Sequence, residues 1–332
     1  MTTIWLNHWF STAYEIIALI RKGGDKVRII GTNEGKLSPI MLQCDEWYQE
    51  PVLRGDEYID FCLDFCKKHE VDIFMPRREL VNISKNKERF TEKGIKVMVD
   101  DFRYVDILNR KDSAYEVFKQ EKIGNVPDYH IVTDVKQFME ACDDILEKYD
   151  RVCYKFVRDE GGMSFHLIDN TPKGYDSLFT RSSTRISLEA TISALSERQE
   201  FAPLMVMPFL SGDEISVDCL RTPSGTIAIP RRKNYSRVEH IIYDEDILET
   251  CHKLLERFPL EMPCNIQFKL LDDLPYLLEV NTRMSGGVQL SCVGSGINIP
   301  YIAVNKLLGK DISWTECREE KFVTHIESPL VL

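Results

Sequence analysis

The sequence predicts a chain in two parts: an α/β segment of parallel-sheet type, then an α+β segment rich in antiparallel strands. Three observations lead there. Over the first hundred residues, short apolar runs alternate with stretches whose apolar residues recur three and four apart, the pattern of strands joined by helices in a parallel sheet. After residue 110 this rhythm gives way to β-rich runs separated by short turns. The length of 332 residues, 43% apolar and 29% charged, suffices for at least two domains of ordinary globular composition.

In chain order, "TIWLN" reads as a strand. A helix follows from Thr12 to about Arg21, opened by Thr12-x-x-Glu15, a capping-box spacing. "KVRIIGT" is a second strand, "DEYIDFCLDFCKKH" a helix, and "VDIFM" a strand stopped by Pro76. A helix around residues 80–93 leads to "IKVMVD". Ligands of parallel sheets sit beyond the carboxyl ends of the strands, which places "NHWFST" (7–12) and "PRREL" (76–80) on the binding edge. Further on, a helix over about 112–121 ends near Gly124, "NVPDYHIV" supplies a turn and a short strand, and a helix covers about 134–149. The strands "RVCYKFV", "PLMVMPF", "EISVDCL", "TIAIPRR", "NIQFKLL" and "PYLLEVN" complete the pattern.

A formal charge of -11 argues against a sequence-independent nucleic-acid binder, which needs a basic face. No segment approaches the ~20 apolar residues of a membrane span. The opening "MTTIWLNHWF" lacks the basic-then-apolar pattern of a signal peptide. The ten cysteines are scattered through strands and helices without a CxxC pair, so the expectation is reduced thiols in a cytoplasmic protein.

The stretch "YLLEVNTRMSGGV" (276–288) sets Glu279, Asn281 and Arg283 at every second position of a strand, hence on one face. If the turn joining it to "CNIQFKLL" is Asp272-Asp273-Leu274, Gln267 lies opposite Glu279; any register that puts both on one face needs an odd loop. Asn281 then lies about 7 Å along the strand from Glu279 at ~3.4 Å per residue. One carboxylate between two amide oxygens suits Mg²⁺, which takes its other ligands from water and phosphates. Arg283 adds charge for phosphate without competing for the metal. A solvated sheet face is the usual explanation for such alternation in isolation, but leaves the basic residues that follow as coincidence.

Lys155 in "VCYKFV" precedes the glycine loop "RDEGGMSF", where Gly161 and Gly162 let backbone N–H groups approach a phosphate. A strand lysine there holds phosphate as a point charge. Lys111, at a helix start in "NRKDSAYEVF", is a second candidate. "GTNEGKL" has the wrong spacing for a P-loop.

The order Lys111, Lys155 with its glycine loop, "MVMPFLSGDEISVD", Gln267 and "LLEVNTRMSGG" resembles the ATP-grasp superfamily, in the branch of carbamoyl phosphate synthase large subunits and biotin carboxylase. The resemblance covers about residues 75–310. Its length and the "NHWFSTAY" opening are similar to the stand-alone ATP-grasp proteins associated with tellurite-resistance gene clusters. It implies a Rossmann-like pre-ATP-grasp domain over 1–108 and an ATP-grasp fold over 109–332, with a lid subdomain at about 125–207. It implies ATP and Mg²⁺ (or Mn²⁺) as cofactors: Lys111 and Lys155 on the phosphates, Gly161, Gly162 and Ser164 in a flap, Met207 and Phe209 in the adenine hinge, Glu214 near the ribose. Gln267, Glu279 and Asn281 become the metal ligands, and Arg283 and Arg232 the catalytic arginines. Arg77, Arg78 and Arg231 are the candidates for the substrate carboxylate. Two departures stand out: the hinge reads Met207-Pro208-Phe209 where the family commonly has Gln-Glu-Tyr, and the flap lacks the usual Gly-Ser-Arg-Gly.

The implied reaction is carboxylate activation by ATP and capture of the acyl phosphate by an amine or other nucleophile. Catalysis then consists of positioning and charge neutralisation on the phosphoryl group. The implied partners are small molecules, with neither nucleic acid nor membrane, and a homodimer is compatible with the resemblance. A nucleotide-binding regulator without turnover is the alternative; Gln267, Glu279 and Asn281 together count against it, because a sensor has no need of γ-phosphate metals. The length leaves room for one ATP-grasp unit and no glutaminase, so a complete carbamoyl phosphate synthase is not expected.

Overall fold

The structure, a computed structural model, describes residues 1–158, 164–171, 184–233 and 237–332. Two compact units are distinguished. One comprises Met1–Asn109, Asp213–Phe268 and Leu278–Leu332; the other comprises Arg110–Gly212 and Lys269–Leu277.

The first unit opens on a five-stranded sheet whose order is Glu46–Gln49, Val27–Asn33, Thr2–Asn7, Ile73–Met75, Lys96–Val97, with every neighbouring pair parallel. Its central strand buries Ile4, Trp5 and Leu6 completely, the continuous apolar run of a strand covered on both faces. On one face helix Gly55–Lys68 contributes Tyr58, Ile59, Cys62, Leu63, Phe65 and Cys66. There Trp5 stacks on Phe74 with ring centroids 4.1 Å apart. On the other face helix Ala13–Lys22 buries Ala13, Ile16, Ile17 and Ile20 against Ile4 and Leu6.

That second core does not stop at the end of the N-terminal segment. It continues through Leu220, Ile227 and Ile229 and through Val288, Ile299 and Ile302 of helices Val288–Ser295 and Ile299–Leu307. The first 109 residues and the chain after 212 thus share one hydrophobic core. Gly23 marks how close they come: a Cβ there would lie 2.0 Å from the Tyr301 ring.

The six-stranded sheet runs Leu274–Asn281, Cys264–Leu271, Glu214–Thr222, Gly225–Lys233, Val238–Ile241, Lys321–Thr324. The division between the units falls within its first two strands. The second unit carries a five-stranded sheet, His130–Val132, Leu204–Pro208, Val152–Phe156, His166–Ile168, Arg185–Ile186, antiparallel except for its last pair. Helix Val135–Lys148 covers it with Phe138, Ala141, Cys142 and Ile145.

Three local expectations are corrected. Thr12 forms no capping box: it is itself helical, and the first N–H groups are met by main-chain turns such as Ala13 to Phe10 and Tyr14 to Ser11. The helix expected over 80–93 is two short helices, Leu80–Lys85 and Lys87–Thr91, divided at Asn86, whose amide turns back onto the Asn82 carbonyl. The hairpin at 272 has a two-residue turn, Asp272 and Asp273, both at positive φ, the geometry of a tight hairpin turn. All ten cysteines are unpaired thiols, eight of them buried. Among the described residues no helix is long and apolar enough to cross a membrane.

Asp100 ties the N-terminal segment to the chain around residue 261. Only 2% exposed, it accepts N–H bonds from Glu261 at 2.5 Å and Met262 at 3.1 Å. Burial pushes its carboxyl up to about 6, against the main-chain donors that pull it down. A carboxyl raised in the folded state binds its proton more tightly there than in the unfolded chain. Its contribution is therefore full below the ordinary Asp range and is lost as pH rises through about 6. Between pH 4 and 7 chemical denaturation of the parent should lose up to roughly 3 kcal/mol through this group, and Asp100→Asn should flatten that slope. An unchanged slope in the variant would assign the pH dependence to other groups.

Candidate active site

The first unit holds the polar row of strand Leu274–Asn281. Glu279 and Asn281 share a face as the alternation requires, and Asn281 donates its Nδ2–H to Glu279 Oε1 at 3.0 Å. That leaves the Asn281 carbonyl oxygen as a ligand atom. Gln267 lies on the neighbouring strand, two residues from Asn265 and on the same face as it. A regular ladder from a two-residue turn would put Gln267 and Glu279 on opposite faces. Burial along the second strand, however, passes from Leu277 to Val280, a spacing of three. An extra residue of the bulge kind would give such a step and would return Glu279 to the Gln267 face. The Glu279 carboxylate and the Asn281 amide oxygen are hard oxygen donors, and with the Gln267 amide oxygen they would make an oxygen-only set of the kind that fits Mg²⁺ or Mn²⁺. No group of three or more His, Cys, Asp or Glu suited to a metal occurs among the described residues.

Beneath this row lies a polar network the sequence reading did not find. Arg231 is 1% exposed. Its Nη2 donates to Asp218 Oδ2 at 3.0 Å and to Ser285 Oγ at 3.2 Å, its Nε to Ser291 Oγ at 2.7 Å, and its Nη1 to Glu239. Asn265 joins through Ser216 Oγ at 2.9 Å and Asp218 Oδ1 at 3.0 Å. Burial works against the guanidinium charge, and Asp218 and Glu239 outweigh it, holding Arg231 above its ordinary range. The turn after Arg283 rests on this arginine: a Cβ at Gly287 would come 2.6 Å from Nη1, so glycine is what lets the chain pass. Arg231 is therefore not a substrate arginine. Its donors are spent on a buried framework. The signal was present in "EISVDCL", where Ser216 and Asp218 repeat the every-second-residue polar spacing of Glu279 and Asn281.

The other arginines divide. Arg232, on the opposite face of its strand, donates through Nε to Asp213 at 2.7 Å. Arg78 is held by Glu34 at 2.6 Å and the Leu53 carbonyl at 2.7 Å, and contacts His8 Nε2 at 3.0 Å. Arg77 donates its main-chain N–H to Asn7 Oδ1 at 2.6 Å and lays its guanidinium over the Phe10 ring at 4.4 Å. Arg283 approaches the same ring at 5.7 Å. The carboxyl edge of the parallel sheet and the Glu279 strand thus meet at Phe10.

In the second unit Lys111 begins helix Lys111–Glu121 and Lys155 stands mid-strand opposite Met205, only 7% and 6% exposed. Such burial is rare for lysine outside a paired or functional setting. Met207 and Pro208 end strand Leu204–Pro208. The ladder to His130–Val132 stops at Val206, while the one to Val152–Phe156 continues to Pro208. Phe209 donates its N–H to the Arg151 carbonyl at 2.9 Å and receives that guanidinium on its ring at 4.4 Å. Ser164 Oγ accepts from the Phe156 N–H at 2.9 Å. Gly161 and Gly162 lie outside the described residues, as does 234–236 of "IPRRKNYSR". Glu214, back in the first unit, is paired with Lys233 at 2.7 Å.

The family described as "ATP-grasp in the biosynthetic pathway with Ter operon" matches residues 200–329, and the PylC-like N-terminal domain matches residues 11–98. The chain resembles ATP-grasp proteins over residues 200–329. It is 21% identical to the arginine-specific carbamoyl phosphate synthase large chain of Geobacillus stearothermophilus over 91% of its own length. It spans only 28% of that relative. Among solved structures, it is similar to an ADP complex of N5-carboxyaminoimidazole ribonucleotide synthetase (TM-score 0.71, 13% identity, covering 97% of this chain and 80% of that one). It is also similar to the biotin carboxylase–β-γ-ATP complex from Campylobacter jejuni (TM-score 0.70, 16% identity, covering 97% and 74%). These likenesses bear out the fold expected from the strand pattern and the E-V-N-x-R row.

The buried network has a direct test. Arg231→Met leaves Asp218 charged and buried, which should cost about 3 to 5 kcal/mol in chemical denaturation. Adding Asp218→Asn should recover part of that loss, since Glu239 is one-fifth exposed and stays solvated. An Arg231→Met protein as stable as the parent would remove the framework role.

Proposed function

We propose that this protein is an ATP- and Mg²⁺-dependent ligase that activates a small carboxylate as an acyl phosphate and passes the acyl group to an amine or related nucleophile. The observation that carries the reading is the Glu279–Asn281 pair on one strand face, continued by Arg283 and by a turn whose Ser285 is held by the buried Arg231. Similarity to structures described as complexes with ADP and with β-γ-ATP supports it.

Gln267, Glu279 and Asn281 hold the metal in this reading, which when bound neutralises phosphoryl oxygens. Lys111 and Lys155 meet nucleotide phosphates as point charges. The Met207 main chain reads the adenine, so the absence of the common Gln-Glu-Tyr bears on base selectivity more than on binding. Arg283 stabilises charge on the transferred group, where a planar guanidinium can bind two oxygens at once. Arg77, on the far side of the Phe10 contact, orients the acceptor carboxylate. Arg78 and Arg232, already in ion pairs with Glu34 and Asp213, serve the acceptor only indirectly.

Glu279→Ala should lower carboxylate-dependent ADP release at least about 100-fold, with a melting temperature close to the parent. Lys155→Ala should first weaken nucleotide binding, by roughly tenfold or ~1.4 kcal/mol. A folded Glu279→Ala protein with parental turnover would sink the metal assignment, and unchanged nucleotide affinity in Lys155→Ala would make that lysine a bystander.

A further inference from the structure

One cluster at the carboxyl edge of the parallel sheet is used by nothing above. Glu50 has a fully buried side chain. Its carboxylate accepts from His8 Nε2 at 2.6 Å, from the Tyr58 hydroxyl at 2.9 Å and from the Thr32 hydroxyl. Asn7 Nδ2 donates to the Tyr58 oxygen at 2.7 Å, and Trp5 Nε1 to the Thr32 oxygen at 2.8 Å. A buried carboxylate costs stability unless its donors are in place, and here three side chains are arranged to supply them. His8 follows directly on the central strand, is held at φ 50 with its N–H on the Thr32 carbonyl, and keeps 15% of its side chain exposed. A left-handed residue other than glycine at the end of a strand costs on the order of 1 kcal/mol. That conformation brings the imidazole back over the strand ends rather than out along the chain.

The remaining neighbours are charged. Arg78 Nη1 lies 3.0 Å from His8 Nε2 and 2.6 Å from Glu34. Two residues further along the chain, Phe10 carries the contacts to Arg77 and Arg283. The cluster therefore stands beside the arginines that meet at that ring. A core role alone would bury the imidazole, and a surface role would not bury its carboxylate.

We propose that His8, oriented by Glu50, is the base that takes a proton from the incoming amine. This rests on the ligase reading above. A ligase that captures an acyl phosphate with an amine meets it as an ammonium ion, which has no lone pair. Nε2 lies between the Glu50 carboxylate and the Arg78 guanidinium; in the tautomer that gives Nε2–H to Glu50, the other ring nitrogen, Nδ1, is the acceptor. It removes one proton, and the amine nitrogen forms its bond to the acyl carbon. The carbon–oxygen bond to phosphate breaks, and its electron pair leaves on the phosphate. The second N–H proton departs with the phosphate, and His8 returns its own to water. Glu50 offsets the imidazolium charge meanwhile, while Arg78, itself paired with Glu34, opposes it. Glu50 is thus a positioning residue and His8 the group that meets the nucleophile.

Hydroxylamine separates the steps, because it is largely unprotonated at neutral pH and traps acyl phosphates without a base. The common amino acids and dicarboxylic acids are offered to the full-length protein with ATP, Mg²⁺ and hydroxylamine. Each acid that yields a hydroxamate is then offered with the common amino acids as amines. In His8→Gln the ratio of amide to hydroxamate at pH 7 should fall roughly 100-fold, and the deficit should shrink as pH rises and the amine loses its proton unaided. Glu50→Gln keeps the ring. It should lower the same ratio, because the imidazole has lost the carboxylate that orients it. A ratio unchanged in His8→Gln overturns the proposal, as does a fall that high pH does not relieve. Absence of any hydroxamate from the folded parent overturns the ligase reading itself.

Discussion

The site depends on a charge that never reaches solvent. Arg231 is enclosed by Asp218, Glu239, Ser285 and Ser291, and the turn that follows Arg283 is bonded to it and packed on it. The strand Glu214–Thr222 supplies Asp218, helix Val288–Ser295 supplies Ser291, and the turn after Arg283 supplies Ser285 and the bare backbone of Gly287. A buried pair of this kind contributes less to net stability than to uniqueness, since well-packed apolar residues could replace it at little cost. What apolar residues could not do is fix the turn by directed bonds. We read the network as the device that sets where Arg283 leaves its strand.

The second constraint is the shared core. Helix Ala13–Lys22 packs on the N-terminal sheet and on helices from the end of the chain in one cluster, and Asn298 donates to the Leu19 carbonyl at 2.7 Å. Asp100 adds a polar tie to Glu261 and Met262. Because these contacts lie within one compact unit, the carboxyl edge of the parallel sheet keeps its position relative to the Glu279 strand. Phe10 is where the two meet, and the arginines that converge on it come from segments about two hundred residues apart in sequence.

Strand and helix periodicity were legible wherever one element had one apolar stripe or one continuous run. The strands Thr2–Asn7, Val27–Asn33 and Glu214–Thr222 and the helix Gly55–Lys68 are of that kind. The strand Glu46–Gln49 was not, because two half-buried residues followed by two exposed ones carry no period. The polar row of Glu279 and Asn281 was readable because a strand repeats every two residues, but the turn before it was read as three residues and has two, Asp272 and Asp273. Arg231 and Arg232 are adjacent in sequence and look alike there. Only the fold shows that one faces Asp218 in the core and the other Asp213 at the surface. His8 falls within the "NHWFST" edge segment, but Glu50 lies forty-two positions away and nothing local joins the two.

The most direct test of the account is the structure of the protein with ADP, Mg²⁺ and a fluoride mimic of the transferred phosphoryl group. It should show a metal ion bound to Glu279 and the Asn281 carbonyl oxygen, with Arg283 on the fluorides and Lys111 and Lys155 on the nucleotide phosphates. A nucleotide–metal complex bound without contact to Glu279, Asn281 or Arg283 would contradict it.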